Sequence, residues 1–157
     1  MLIELLSLGK TQDEEIQRLL QSYHKKLAKY GKFISIEKEV GGLKKNHGQT
    51  ERKEIEGRFI LDYIKPDDYV FLLDENGKAY NSEKFAAHLQ KCLNKGGKRI
   101  LFIIGGPYGF SEKVYLRANE KLALSEMTFT HQMVRLFFTE QLYRAFTILN
   151  NEPYHHS

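Results

Sequence analysis

The sequence predicts a single α/β domain, residues 1–157, built on a largely parallel β-sheet. Short apolar runs that suit buried strands alternate along the chain with longer amphipathic runs that suit helices. Glycine, proline and asparagine stand at several joints between these runs. The length of 157 residues is enough for one domain with a sizeable core, and no linker, repeat or low-complexity tract divides it.

Five apolar runs predict the strands, and four amphipathic runs predict the helices. The strands are expected at residues 2–8, 33–40, 69–73, 99–104 and 121–124. The helices are expected at residues 13–30, 50–64, 82–94 and 131–149. The order of these runs along the chain is that of a parallel sheet connected by helices.

Local signals support the ends of these elements in chain order. Thr11 or Asp13 is a suitable cap for the first helix, and Pro66 ends the second helix. The pair Asn76-Gly77 predicts a turn after the third strand, and Gly96-Gly97 ends the third helix. The glycine-containing segment 41–48 is predicted to be a mobile loop.

The composition favours a soluble, cytoplasmic protein. Hydrophobic residues make up 41% of the chain and charged residues 28%, both ordinary values for a globular domain. The chain has one cysteine, Cys92, which excludes an internal disulfide and is predicted to be structural rather than nucleophilic. Neither a signal peptide nor an apolar run of membrane-spanning length is recognised, so no membrane partner is expected.

The charge distribution is compatible with a nucleic-acid partner. The formal net charge is +4, from 24 basic and 20 acidic residues. A modest excess of this kind also suits an ordinary protein whose lysines are solvated, so both interpretations stay open. The basic residues form three groups in the sequence: Lys25, Lys26, Lys29 and Lys32; Lys44, Lys45, His47, Arg52 and Lys53; and Lys95, Lys98 and Arg99.

The segment that follows the fourth predicted strand, residues 103–110, has the composition of a binding loop. Gly105 and Gly106 allow the backbone to approach a ligand closely, and Pro107 stiffens the turn. The segment matches neither the G-x-G-x-x-G dinucleotide motif nor the phosphate-binding loop, which disfavours nicotinamide and nucleoside triphosphate ligands. A strand-to-helix turn without a binding role is the alternative.

The segment 124–131 has the composition of a second binding loop. It mixes hydroxyl groups with apolar side chains and ends at a predicted helix N-terminus, where His131 can be only a helix-start residue. Such a loop can offer backbone hydrogen bonds to an adenine and apolar walls to its two faces.

The last predicted helix is apolar over more than half of its circumference. Phe137 and Met133 widen its apolar stripe, which predicts a deeply buried helix or one that lies in a subunit interface. In this setting Arg135 needs a partner, and Glu140 and Arg144 have the i,i+4 spacing of an ion pair.

The C-terminal tail has an unusual composition for a frayed end. Tyr154 and His155 follow Pro153, and we expect them to dock into a site and contact substrate. The pair His155-His156 lacks a third ligand at a fixed spacing, so no metal site is expected.

Four motifs follow one another along the chain. They are Leu-Leu-Asp-Glu-Asn-Gly-Lys at 72–78, Ile-Gly-Gly-Pro-Tyr-Gly at 104–109, Leu-Ser-Glu-Met-Thr-Phe-Thr-His-Gln-Met-Val-Arg at 124–135 and Pro-Tyr-His-His at 153–156. In this order they resemble the RlmH family of large-subunit ribosomal RNA methyltransferases, which belongs to the SPOUT superfamily. The resemblance extends over the whole chain, including its length and its N-terminal Leu-Leu-Ser-Leu-Gly-Lys sequence.

The resemblance implies the fold and the cofactor. SPOUT enzymes are α/β proteins whose C-terminal segment forms a trefoil knot, and they are usually homodimers that bind S-adenosylmethionine (SAM) in the knot. The residues that would hold SAM are Leu73, Gly105, Leu124, Ser125, Glu126, Met127, Thr128 and Phe129.

The resemblance also implies the reaction, which is methylation of N3 of a pseudouridine in 23S ribosomal RNA of the assembled ribosome. Tyr154 and His155 would complete the site across the dimer interface, with His155 handling a proton or positioning substrate. Arg135 is expected to have a structural role or to contact RNA.

This sequence departs from the family pattern at two positions. Thr130 stands where proline is usual, and His156 stands where arginine or lysine is frequent. Two alternatives to the predicted reaction stay open: a SPOUT enzyme that modifies transfer RNA, and a non-catalytic RNA-binding or ribosome-assembly protein.

Overall fold

The computed structural model describes residues 1–156, so Ser157 of the predicted domain and tail lies outside the described residues. Five parallel strands form one sheet in the order β2-β1-β4-β3-β5. The strands are β1 (Leu2–Leu8), β2 (Phe33–Lys38), β3 (Asp68–Ala79), β4 (Arg99–Ile104) and β5 (Glu120–Ala123). This architecture confirms the predicted α/β class and the parallel sheet.

Within residues 1–156, five helices connect and follow the strands. They are α1 (Glu14–Leu27), α2 (Gln49–Tyr63), α3 (Ser82–Asn94), α4 (Glu112–Arg117) and α5 (His131–Leu149), and a 3₁₀ turn at Ala28–Tyr30 extends α1. The predicted cap is confirmed, since the Asp13 carboxylate accepts hydrogen bonds from the backbone N–H groups of Glu15 and Ile16 at 3.0 and 3.2 Å. Helix α4 has only six residues and is not predicted by the sequence pattern.

The helices cover both faces of the sheet. The core on one face joins the sheet to α1, α3 and α5 through residues such as Leu27, Leu89 and Phe138. The core on the other face joins it to α2 and α4 through Ile60 and Val114. Strand β4 lies in the middle of the sheet and is buried along its whole length, which explains its apolar sequence from Ile100 to Ile104.

Strand β3 is longer than predicted, because Asn76-Gly77 lies within it rather than ending it. The pairing with β5 shifts register between Leu73 and Lys78, and the strand then continues to Ala79. Gly77 permits this, because a Cβ atom there would lie 2.6 Å from the carbonyl carbon of Lys121. The Asn-Gly pair therefore marks a bulge against β5.

Within residues 1–156, no helix combines the length and the apolar character that crossing a membrane would require.

Candidate functional site

The candidate site lies at the carboxyl ends of three neighbouring strands. The sequence predicts that the segments after β3, β4 and β5 meet only if these strands are adjacent in the sheet. The observed order β4-β3-β5 brings them together, with Leu72 paired to Ile103 and Leu73 paired to Leu122. Ligands of open parallel sheets bind at this edge.

The glycine segment after β4 is closely packed on two sides. A methyl group added at Gly105 would lie 2.7 Å from Cε1 of Phe110, which is buried, and one at Gly106 would lie 2.7 Å from Oε1 of Glu56. A side chain at Gly105 would therefore displace the buried Phe110 ring, and one at Gly106 would displace the carboxylate of Glu56. The turn itself closes through a 3.4 Å hydrogen bond from the Gly109 N–H to the Gly106 carbonyl.

Substitution Gly105→Ala is expected to destabilise the protein by about 1–3 kcal/mol, because the buried Phe110 ring cannot yield without disturbing the core. Urea denaturation measures this loss. The matched control is Gly41→Ala, where nothing lies within 4 Å of the added carbon and a change within about 1 kcal/mol is expected. Equal costs for the two variants would contradict the packing argument.

A cavity of about 380 Å³ opens beside the end of β5. Of the predicted SAM-binding residues, Leu124 and Phe129 line it, together with Phe137 and Glu140 of α5. Its other walls are Tyr80, Asn81, Ser82, Phe85, Leu122, Ala123 and Gln141. The mixture of apolar walls and a few polar groups suits a small organic ligand.

The remaining predicted SAM-binding residues, which are Leu73, Gly105, Ser125, Glu126, Met127 and Thr128, do not line this cavity. Leu73 packs against the core beneath the strand ends, and Ser125 accepts a 2.9 Å hydrogen bond from the N–H of Met127. Thr128 donates from its hydroxyl to Glu75 at 2.5 Å, which ties the segment after β5 to the irregular part of β3. Met127 and Glu126 are exposed.

The C-terminal tail docks on α5 of its own chain. The Tyr154 hydroxyl donates to Oε1 of Glu140 at 3.0 Å, and its ring packs edge-to-face on Tyr143 with centroids 4.8 Å apart. The guanidinium of Arg144 lies 4.8 Å from the centre of the Tyr154 ring. The tail thus ends beside the cavity, because Glu140 also lines that cavity.

Arg144 connects the tail residues electrostatically. It makes the predicted i,i+4 ion pair with Glu140, with Nη2 2.6 Å from Oε1, and its Nη1 donates to Nδ1 of His155 at 3.1 Å. Since arginine only donates, Nδ1 of His155 is the acceptor and Nε2 carries the proton of the neutral ring. That Nε2 lies 3.7 Å from Oε1 of Glu83.

The hydroxyl of Tyr154 is held in its protonated form. Burial, with hydrogen bonds to Tyr23 and Glu140, raises the pKa of Tyr154 well above its usual value. The phenol is therefore a hydrogen-bond donor at neutral pH rather than a base.

Arg135 lies inside the protein, where its side chain is 2% exposed. Its guanidinium donates to the carbonyl oxygens of Leu8 and Gly9 at 3.0 and 2.9 Å and to the Thr11 hydroxyl at 3.0 Å. These bonds tie α5 to the end of β1. Of the two predicted roles, this position favours the structural one.

Glu56 is a candidate site residue that the sequence reasoning missed. It lies on α2 with 5% exposure, and its carboxylate faces Gly106 of the segment after β4. Oε1 is buried and has no hydrogen-bond partner among the described residues. The available signal was its spacing, because Glu56 lies one helical turn before the buried Ile60 and so belongs to the buried face of α2.

Three side chains at the opposite end of β5 carry atoms that could hold a metal: His88, Cys92 and Glu120. In the structure two of them are already bonded to each other, since Nε2 of His88 lies 2.8 Å from both carboxylate oxygens of Glu120. Cys92 is buried, as predicted for a structural cysteine. Burial raises the pKa of its thiol and so disfavours the thiolate form that would bind a metal.

The sequence is similar to known methyltransferases over nearly its full length. A family model described as "Predicted SPOUT methyltransferase" matches residues 1–155. A protein of Christiangramia forsetii named "Ribosomal RNA large subunit methyltransferase H" is 55% identical over 99% of both chains. Proteins with the same name from Flavobacterium psychrophilum and Parabacteroides distasonis are 52% and 46% identical, over 98% and 99% of both chains respectively.

The structure is also similar to a solved structure. A probable methylase family protein from Haemophilus influenzae matches with a TM-score of 0.54 at 12% sequence identity, over 99% of this chain and 70% of that one. At this low identity the match concerns the fold alone. Together with the family model, the sequence relatives establish that the chain belongs to the SPOUT methyltransferase family.

Proposed function

We propose that this protein transfers a methyl group from SAM to N3 of a pseudouridine in 23S ribosomal RNA of the assembled ribosome. The observation that carries the proposal is the cavity that joins the segment after β5 to the docked tail. The relatives named as ribosomal RNA methyltransferases support the reaction class, because they match over nearly the whole chain at 46–55% identity.

The residues at the strand ends fit a methyl donor of this kind. Leu124 and Phe129 offer apolar walls for an adenine. We propose that Gly105 contacts the ligand through its backbone, since the Phe110 ring fills the space where a side chain would lie. SAM supplies an electrophilic methyl group on a sulfonium cation. We propose that the other predicted residues, Leu73, Ser125, Glu126, Met127 and Thr128, hold the chain around SAM in its binding conformation.

Transfer to N3 breaks a carbon–sulfur bond, forms a carbon–nitrogen bond and releases the N3 proton. The N3 proton is weakly acidic because two carbonyl groups flank it, so the reaction benefits from alignment and from a group that manages the proton. The lone pair of His155 Nδ1 accepts from Arg144 in this conformation. We therefore propose that His155 positions the pseudouridine. To accept the N3 proton, the His155 side chain would first have to leave Arg144.

Tyr154 and Arg135 take supporting roles in this proposal. Protonated Tyr154 holds the tail against Glu140 and can donate to a carbonyl of the base. Arg135 fixes the start of α5 and, through it, the segment that precedes the helix. Arg135 is then a positioning residue that does not contact RNA.

We further propose that the whole chain, residues 1–157, acts as one domain and that two copies form a cytoplasmic homodimer, with each site using residues of both chains. Phe137 of α5 is 37% exposed and lies 4.9 Å, centroid to centroid, from Phe129. A pair of an exposed and a half-buried phenylalanine beside the site suits an interface. The RNA would then approach the basic cavity that Lys44, His47 and Arg58 line.

The test is to incubate the purified protein with methyl-labelled SAM and ribosomes from a strain that lacks the enzyme, and then to map the label. We expect a single labelled nucleotide, a pseudouridine methylated at N3, in 23S RNA. Binding of SAM without transfer would leave the non-catalytic role as the explanation. Label on transfer RNA alone would favour the alternative substrate.

A further inference from the structure

Glu56 combines burial, lack of a partner and closeness to the glycine segment. Its Oε1 atom is buried and accepts no hydrogen bond from residues 1–156. Both carboxylate oxygens face Gly106, at which an added methyl group would collide with them. The carboxylate therefore lies directly against the backbone after β4, where the methyl donor is proposed to bind.

The positive charge of Arg52 acts on Glu56 without a direct bond to it. Arg52 lies one helical turn before Glu56, which is ion-pair spacing, but its guanidinium donates to the carbonyl oxygen of Lys44 at 3.3 Å. The glycine turn also uses one of its own amides internally, since the Gly109 N–H donates to the Gly106 carbonyl. Burial raises the pKa of Glu56 above its usual value, and the charge of Arg52 offsets this rise only in part.

A buried carboxylate without a partner is rare in native proteins and is typical of a group whose partner arrives with a ligand. The best partner is a cationic N–H donor, because it offsets the loss of hydration of a carboxylate more fully than a neutral amide does. Among the proposed reactants, only SAM carries such a group, the ammonium of its amino-acid part.

We infer that Glu56 is a ligand-binding residue for the ammonium group of the methyl donor, which would lie beside the carboxylate at the Gly106 end of the glycine segment. This inference rests on the proposed function, because it takes SAM as the ligand. The inference gives α2 a part in donor binding. Helix α2 packs on one face of the sheet, whereas α5, which follows the SAM-binding segment, packs on the other face.

The experiment compares Glu56→Gln with the control Glu54→Gln, which alters an exposed glutamate on the same helix. Calorimetry measures binding of SAM and of 5′-methylthioadenosine, which keeps the adenosine and lacks the amino-acid part. For Glu56→Gln we expect the affinity for SAM to fall at least about tenfold, as for a lost charge-assisted hydrogen bond, while methylthioadenosine binds within about twofold of wild type. Glu54→Gln should bind both compounds like the wild type.

Unchanged SAM affinity in Glu56→Gln, or an equal loss for both compounds, would overturn the inference. The unliganded thermal midpoint of Glu56→Gln should not fall, because the amide conserves the shape of the side chain and removes a buried charge. Glu56→Asp provides a second variant, which keeps the charge but withdraws it by one methylene and should lose SAM affinity as well. Binding is measured without ribosomes, so failure of methyl transfer by a wild type that binds SAM would reject the proposed function alone.

Discussion

Removal of residues 154–157 is expected to abolish methyl transfer to the ribosome while the affinity for SAM stays within a few-fold of wild type. The tail contacts α5 through Glu140, Tyr143 and Arg144, whereas the proposed donor segments follow β4 and β5. A group that positions the base and manages its proton contributes about 10²–10⁴-fold to the rate. Labelled transfer to ribosomes and calorimetry with SAM measure the two quantities.

Point variants separate the contributions of the two tail residues. Tyr154→Phe keeps the ring on Tyr143 and removes the hydrogen bond to Glu140, so a stability loss of about 1 kcal/mol is expected. His155→Ala removes the proposed positioning group and should carry most of the loss in rate. If the truncated protein instead loses its affinity for SAM, the tail is part of the donor site and its proposed role is wrong.

The regular elements of this fold are predictable where burial is uniform. Strand β4 is buried at all six positions, and its bounds at residues 99–104 are confirmed. The bounds of α3 and α5 are also confirmed, because capping side chains at Asn81 and Thr130 mark where they begin. Helix α4 is not predicted from the sequence, because six residues are too few to show a helical period.

The site is predictable only in part, because its geometry depends on contacts between distant segments. The motifs at 104–109 and 124–135 indicate the binding segments, but a sequence pattern does not give the strand order that brings them together. Glu56 is 50 residues away from Gly106 along the chain, and the partners of Arg135 lie at the end of β1. Such long-range pairs leave little trace in one sequence.

The family resemblance predicts more of the fold and function than residue patterns alone do. Membership of the SPOUT methyltransferase family is confirmed by the family model and by the relatives. The trefoil knot follows from that membership and stays a prediction, as do the dimer and the individual SAM-binding residues. Thr130, the departure from the usual proline, still caps α5 by accepting a 3.2 Å hydrogen bond from the Met133 N–H.

Substitution Arg99→Met is expected to cost about 3–5 kcal/mol of unfolding free energy, because it leaves buried carboxylates without their cation. Arg99 opens β4 and lies between the two neighbouring strands. Its Nη1 donates to Glu4 of β1 at 2.8 Å, and its Nε donates to Asp68 of β3 at 2.9 Å. All three residues are buried, with 5–7% exposure.

The measurement is urea denaturation at neutral pH, with Lys98→Met as the control. Lys98 is the exposed neighbour of Arg99, and its replacement should change the unfolding free energy by no more than about 0.5 kcal/mol. The double variant Arg99→Met with Asp68→Asn should recover part of the loss, since it removes one of the unpaired charges. A cost below about 1 kcal/mol for Arg99→Met would contradict the argument.

The pH dependence of stability gives the same ion cluster a second readout. Burial alone would raise the pKa of Asp68, but hydrogen bonds from Arg99 and the Lys65 backbone outweigh it and lower that pKa below its usual value. A carboxyl whose pKa is lowered on folding stabilises the protein above its unfolded pKa, and this contribution is lost as the pH falls through the folded pKa. Wild type should therefore lose stability on acidification below about pH 4, where Asp68 takes up a proton in the unfolded state. In Arg99→Met only the Lys65 backbone hydrogen bond opposes the effect of burial, so the pKa of Asp68 should rise and its contribution to this acid-dependent loss should shrink.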